Sequence, residues 1–180
     1  MKKTIILIIL TLFITLPATS QNGIKKALRD GVEAVKEGVT TKYLDDIIRN
    51  HIIKSGAKPS FLGYGGFPGS ACISINEQVI HGIPSHDVYL QEGDIVKIDV
   101  GAYYKGYHGD SANTFPVGTV SEEAETLIRV TKESFQKGIE TLGPGSRLGD
   151  LGAAVLFWRH WRHSVPQSVR PKTQPCNRWR

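Results

Sequence analysis

Two aspartates, Asp99 and Asp110, have the type and spacing that could support chemistry. Each lies in a stretch that reads as a β-strand, residues 95–100 and residues 107–115, and Lys105-Gly106 between them is typical of a tight hairpin turn. Counting outward from that turn places the two aspartates directly opposite each other or one diagonal apart. Both are expected on the same face of the sheet, with Cβ atoms roughly 5–8 Å apart.

Two carboxylates on one sheet face repel each other unless a cation lies between them. A divalent metal ion, or two ions about 3.5–4 Å apart, is the usual remedy. The alternative is that one aspartate is a turn or edge residue in solvent, which is common for a single aspartate and less so for two in register. The pair therefore predicts a divalent metal site at Asp99 and Asp110.

His81 is the second candidate for chemistry, because it stands just after a predicted strand in the sequence Ile80-His81-Gly82-Ile83-Pro84. Glycine and proline favour a rigid, extended turn there. A histidine so held suits donation of a hydrogen bond to a substrate amide, or general acid catalysis. An isolated histidine is more often structural, so the functional interpretation depends on the aspartates. His108 is expected at the surface, or behind the metal ligands without binding the metal.

The elements that must position these residues follow from hydrophobic periodicity and capping signals. Helical spacing predicts helices over residues 24–37, over residues 41–52 after Thr40 or Thr41 as N-cap, from Ser121 to about Thr141, and from Leu148 onward. Residues 61–70 contain many glycines and three aromatic side chains, which indicates an irregular loop, and residues 72–76 read as a short strand. Neither a phosphate-binding loop nor a nucleophile elbow occurs in the sequence.

The two ends of the chain differ from its middle. Lys2 and Lys3, the apolar stretch 5–16 and the small residues 18–20 have the plan of a secretory signal peptide, the alternative being a buried N-terminal strand or helix. At the other end the periodic pattern stops near Leu156. We therefore expect a signal-like segment at residues 1–20, a folded domain at residues 21–156, and an unstructured basic tail at residues 157–180.

Composition excludes little by itself, because 40% hydrophobic and 22% charged residues are ordinary for one globular domain. The net charge of +5 belongs to the tail, since six positive and no acidic residues follow Asp150. The tail is interpreted as the product of a shifted reading frame or as a false chain end, in preference to a natural basic tail. A nucleic-acid-binding arm would carry denser lysine and arginine, so no nucleic acid partner is expected. Two cysteines are too few for a disulfide framework, and Cys72 is expected as a buried free thiol.

Five motifs occur in a fixed order, and together they closely resemble type I methionine aminopeptidases over residues 27–155. They are Phe61-Leu62-Gly63-Tyr64-Gly65-Gly66-Phe67-Pro68, Ile73-Ser74-Ile75-Asn76-Glu77, His81-Gly82-Ile83-Pro84, Asp94-Ile95-Val96-Lys97-Ile98-Asp99-Val100 and Gly106-Tyr107-His108-Gly109-Asp110. The resemblance implies an α+β pita-bread fold, present as its first half only, with an antiparallel sheet and helices on one face.

The same resemblance implies a function and a set of roles. The expected reaction is removal of the N-terminal methionine from nascent polypeptides in the cytoplasm, by a monomer that uses two divalent ions (Co, Mn, Fe or Zn). Asp99 and Asp110 resemble metal ligands, with Asp110 bridging the ions. His81 resembles the histidine that contacts the substrate near the scissile bond. Tyr64 and Phe67 resemble the aromatic wall of the methionine pocket.

The sequence also departs from that family. A further histidine and two glutamates that bind the metals, and a second histidine that contacts the substrate, are expected from the other half of the fold. The glycine-histidine-glycine motif expected soon after the Leu148 helix is absent. This chain alone is therefore expected to have little or no activity. The alternative is a non-catalytic, exported or truncated half-domain that binds peptides or a partner, with no stable membrane span once the signal segment is cleaved.

Overall fold

The structure, a computed structural model, describes residue 31 and residues 33–161, the last five of these as backbone only. The predicted signal-like segment, most of the first predicted helix and most of the predicted tail lie outside the described residues. The elements are α1 (Thr41–Lys54), β1 (Lys58–Pro59), β2 (Ala71–Ile75), β3 (Ile95–Tyr104), β4 (Tyr107–Pro116), α2 (Glu122–Glu140) and α3 (Leu148–Trp161). Two compact units, divided after Gly118, hold α1 with the four strands and α2 with α3.

Strand β3 is the centre of an antiparallel sheet of four strands. Strand β4 pairs with β3 along its whole length on one side, while β2 and β1 pair with successive parts of its other side. Lys105 (φ 48°) and Gly106 (φ 89°) make the turn between β3 and β4, and two left-handed residues in succession are what a type I′ turn requires. The hairpin predicted from the sequence is confirmed. Strand β1 was not predicted, because two residues are too few to show a period.

The two faces of the sheet differ because alternate side chains of β3 point to opposite sides. One face is fully buried and packs against α1, with a core built from apolar side chains: Leu44, Ile48, Ile52, Ile73, Val96, Ile98 and Val100. The opposite face carries Asp99 and Asp110, and is called the carboxylate face below. Helix α1 thus covers one face of an antiparallel sheet, as the predicted α+β class requires.

The beginnings of α1 and α2 agree with the capping signals, whereas the first predicted helix ends by residue 33 and not at residue 37. Thr40 caps α1 by accepting a hydrogen bond from the Tyr43 amide at 3.1 Å, and Ser121 caps α2 through the Ala124 amide at 3.2 Å. Helix α3 begins at Leu148 as predicted and extends to Trp161. None of the described helices is long and apolar enough to cross a membrane.

A buried carboxylate joins α1 to the start of β2. Asp45 is 1% exposed, and its Oδ1 accepts hydrogen bonds from the Ser70 and Ala71 amides at 2.6 and 2.9 Å. Its Oδ2 lies 2.7 Å from Nζ of Lys42. The buried carboxylate of Asp45 therefore has three hydrogen-bond donors, which compensate for the loss of its hydration. This arrangement holds the end of the 61–70 loop against the helix.

Replacing Asp45 by alanine should destabilise the fold by about 3 kcal/mol, because two buried amides lose their acceptor. Asp46 is a matched control, since it pairs with the same Lys42 at 2.6 Å but is 46% exposed. Asp46→Ala should cost less than about 1 kcal/mol. The measurement is the midpoint of urea unfolding, followed by circular dichroism. Similar losses for the two variants would show that Asp45 is not the anchor described.

The connection from β2 to β3 turns back onto β2 at Gly82. Its amide donates to Ser74 Oγ at 3.0 Å, and its carbonyl accepts from the Ile73 amide at 2.9 Å. A Cβ atom at this position would lie 2.0 Å from the Ile73 carbonyl oxygen. Only glycine permits so close an approach of two backbones.

Gly82→Ala should therefore push the connection off β2 and destabilise the fold by about 2 kcal/mol. The control is Gly143→Ala, since a Cβ at Gly143 would meet no atom within 4 Å. That variant should change stability by less than about 0.5 kcal/mol. Urea unfolding midpoints again give the comparison, and an unchanged midpoint for Gly82→Ala would contradict the close docking.

Candidate metal centre

The register of the hairpin places the two aspartates one diagonal apart. Asp99 pairs with Ala112, and Asp110 pairs with Gly101. Because Asp110 and Ala112 are two residues apart on β4, both aspartate side chains project from the carboxylate face. The predicted same-face placement is confirmed, with the diagonal rather than the directly opposite arrangement.

The environment of Asp99 disfavours its ionised form. Partial burial, the charge of Asp110 and a hydrogen bond with Asp110 raise the pKa of Asp99 to about 6, although the charge of His81 acts in the opposite direction. In the part of the chain that the structure describes, Oδ1 of Asp99 is a buried oxygen with no hydrogen-bond partner. A buried acceptor beside a second carboxylate is the chemistry that a divalent cation would satisfy.

The donors that the described residues offer fit only part of a metal site. Among residues 31 and 33–161 there is no group of three or more histidine, cysteine, aspartate or glutamate side chains able to hold an ion. Two carboxylates alone hold such an ion weakly. Asp99 and Asp110 therefore fit a metal site that needs further ligands.

Cys72 is the neighbour of Asp99 on the other side of β3. The β2–β3 register pairs Cys72 with Asp99, and the thiol is buried and free, as the sequence predicted. Burial first, and then the charges of Asp99 and Asp110, raise the pKa of Cys72 to about 12. The thiol is therefore protonated beside the carboxylates. Sequence reasoning did not place it there, because nothing local indicates how β2 pairs with β3.

His81 lies on the connection just before Gly82. It is exposed and has a left-handed backbone (φ 60°), which is uncommon for a residue other than glycine. The docking of Gly82 on β2 explains how this conformation is held. The charge of His81 acts on Asp99, so the connection brings the predicted histidine to the vicinity of the carboxylates.

The predicted aromatic wall lies on the glycine-rich loop between β1 and β2. Tyr64 is 81% exposed in a short 3₁₀ turn, and Phe67 is partly buried. A third aromatic, Phe61, packs against Gly101: a Cβ on Gly101 would lie 2.6 Å from its ring. Gly101 is the partner of Asp110. The sequence identified the loop but not Phe61, whose contact depends on the long-range fold.

Comparison with known proteins places these residues in a family. The pattern of metallopeptidase family M24 matches residues 19–163. The methionine aminopeptidase of Clostridium acetobutylicum is 55% identical over 123 residues, which cover 68% of this chain and 49% of that protein. Methionine aminopeptidase 1 of Bacillus subtilis is 50% identical over 121 residues, covering 67% and 48%. The chain thus spans about half the length of the curated relatives it matches.

Solved structures agree with the sequence relatives. The methionine aminopeptidase of Rickettsia prowazekii superposes with a TM-score of 0.76 at 40% identity, covering 80% of this chain and 58% of that one. That of Thermotoga maritima gives 0.77 at 36% identity, with the same coverage. The prolidase of Pyrococcus furiosus, at 22% identity and a TM-score of 0.69, shares the fold. The predicted pita-bread fold, present in part, is confirmed, and the chain belongs to metallopeptidase family M24.

Proposed function

We propose that this chain carries the first part of a methionine aminopeptidase site. The observation that supports it most directly is the Asp99–Asp110 pair, hydrogen-bonded on one sheet face with a buried acceptor that lacks a partner among the described residues. High identity to proteins named methionine aminopeptidase supports the same proposal. The complete site would remove the N-terminal methionine from polypeptides.

Each candidate residue has a task in this proposal. Asp99 and Asp110 would supply ligands to two divalent ions (Co, Mn, Fe or Zn). Those ions, when bound, supply an activated water and polarise the scissile carbonyl. His81 donates a hydrogen bond to the substrate beside that bond, which stabilises negative charge as it develops. Tyr64 and Phe67 recognise the methionine side chain by apolar contact.

The 180 residues alone should nevertheless have little or no activity. The described residues supply two carboxylates, and two carboxylates bind divalent ions weakly. A site open on one side also fails to exclude water from the reacting groups. Full activity requires further ligands of the kind that the rest of a full-length relative would provide.

A second candidate function is that of a non-catalytic half-domain, exported or truncated, which binds peptides or a partner. The lysine-flanked apolar segment at residues 5–16 favours it, since such a segment directs export, whereas the family role is cytoplasmic. A mature chain that begins at Gln21 in an extracytoplasmic fraction would favour this candidate. A cytoplasmic chain that retains Met1 or Lys2 at its N-terminus would favour the aminopeptidase.

The raised pKa of Asp99 predicts how stability depends on pH without metal. The folded pKa, about 6, lies above the ordinary value of 3.8, so ionisation is penalised only in the folded chain. The contribution of protonated Asp99 to the free energy of unfolding is fully present below about pH 4 and is lost as the pH rises through about 6. At higher pH the free energy of unfolding no longer changes on account of Asp99. Unfolding midpoints measured from pH 4 to pH 7 should fall, and Asp99→Asn should remove that part of the fall.

Two controls accompany this measurement. Asp87→Asn alters an exposed carboxylate on the β2–β3 connection and should keep the pH dependence of the parent chain. Adding Mn²⁺ should reduce the dependence in the parent, because metal binding favours the ionised carboxylates. A parent and an Asp99→Asn variant with identical pH profiles would contradict the account of the pair.

The proposed reaction is tested by incubating the chain with Co²⁺ or Mn²⁺ and a methionyl tripeptide, and measuring released methionine. Release should be near background. Mn²⁺ should still bind, and the affinity measured by calorimetry should fall at least about tenfold in Asp99→Asn and in Asp110→Asn, with Asp87→Asn unchanged. Rapid release by the parent chain would overturn the expectation of inactivity. Equal Mn²⁺ affinity in all four proteins would count against the metal site.

A further inference from the structure

We infer that His108 is a positioning residue that, through Ser60, ties the start of the glycine-rich loop to the strand carrying Asp110. The loop is defined as residues 61–69. The inference rests on the proposed function, since it gives the loop and its aromatic side chains a fixed place beside the carboxylates. It assigns a task to a histidine that the sequence predicts at the surface or behind the metal ligands.

The first observation is the contact that His108 makes across the carboxylate face. Nδ1 of His108 lies 2.9 Å from Oγ of Ser60, a hydrogen bond between residues 48 positions apart in the chain. The His108 ring also lies 4.9 Å from the Tyr103 ring, at an interplanar angle of 48°. Tyr103 is the cross-strand partner of His108, so the imidazole is held by one neighbour on β3 and one at the loop.

The second observation is that His108 and Asp110 share a face. They are two residues apart on β4, and alternate residues of a strand point the same way. The hydrogen bond from His108 therefore crosses the same face on which Asp110 meets Asp99. Loss of this hydrogen bond should therefore disturb the carboxylate face and leave the core on the opposite face of the sheet intact.

The third observation concerns the loop itself. The Ser60 amide donates to the Gly101 carbonyl at 2.9 Å, and the next residue, Phe61, lies over Gly101, the partner of Asp110. A Cβ at Gly101 would lie 2.9 Å from Cβ of Ser60. The loop thus leaves β1 in close contact with β3, with its first aromatic side chain across the strand from Asp110.

The other end of the loop is fixed separately. Asp45 holds the Ser70 and Ala71 amides, immediately after the loop ends. The middle of the loop, by contrast, is exposed at Tyr64. One end of the loop is anchored by a buried carboxylate. At the other end, the hydrogen bond between Ser60 Oγ and His108 adds to the bond that the Ser60 amide makes with Gly101. Loss of His108 should therefore release the loop locally and leave the sheet intact.

The test uses the full-length chain without metal and limited digestion with chymotrypsin, which cleaves after aromatic residues. Cleavage after Phe61 and Tyr64, mapped by mass spectrometry, reports opening of the loop. His108→Ala and Ser60→Ala should each speed this cleavage about fivefold, because the loss of one ordinary hydrogen bond raises the population of the open loop by about that factor. The double variant should be no faster than either single one, because both remove the same bond.

Matched variants separate positioning from a general loss of structure. His108→Asn places an amide where Nδ1 of the imidazole stood and should restore most of the protection. His86→Ala removes an exposed histidine from the β2–β3 connection and should leave the cleavage rate unchanged. The urea midpoint of every variant should stay close to that of the parent. Equal cleavage of parent and His108→Ala, or faster cleavage without rescue by asparagine, would overturn the inference.

A second arm connects the loop to ligand binding and keeps the two proposals distinguishable. Mn²⁺ with methioninamide should slow loop cleavage in the parent, and His108→Ala should need about five times more methioninamide for the same effect. Asp99→Asn should lose the ligand effect. If the ligand has no effect on the parent but His108→Ala still opens the loop, the tie through Ser60 is supported and binding of a methionyl ligand by this chain is contradicted.

Discussion

Strand β3 must bury one face against a helix while keeping carboxylates on the other, and the remaining elements depend on that alternation. Val96, Ile98 and Val100 are fully buried, and Asp99 lies between the last two. A slip of one residue in the register would place Asp99 in the core and expose the valines. The type I′ turn at Lys105-Gly106 and the pairing with β2 prevent such a slip. The core and the candidate metal centre thus have the same origin.

The pair Asp99–Asp110 is the electrostatically least favourable part of this arrangement. Asp99 is partly buried next to Asp110, its pKa is raised, and one of its oxygens has no partner among the described residues. A partly buried carboxylate with a raised pKa is typical of a site that binds a ligand. Membership of metallopeptidase family M24 implies that divalent metal ions are the class of ligand. The chain spans about half of its relatives, and its described residues hold no group of three or more metal-binding side chains, so the proposed metal site needs further donors.

Three long-range contacts hold in place the glycine-rich loop and the β2–β3 connection, which carry the other candidate site residues. Asp45 holds the end of the glycine-rich loop, Ser60 holds its start against His108, and Gly82 lies directly on β2 so that His81 is carried toward Asp99. Each contact joins a loop to a regular element through a backbone group or a short polar side chain. The candidate site therefore combines a rigid sheet with loops whose positions depend on a few hydrogen bonds.

The sequence by itself determined the features that arise from neighbours in the chain. Ser121 as a cap, a threonine cap at residue 40 or 41, the hairpin turn and the shared face of Asp99 and Asp110 follow from local periodicity and turn chemistry. Only the tertiary structure decided that Cys72 lies beside Asp99, that Phe61 covers Gly101 and that His108 reaches Ser60. These contacts close loops of tens of residues, which leave no period in the sequence, so their geometry emerges only when the sheet is assembled.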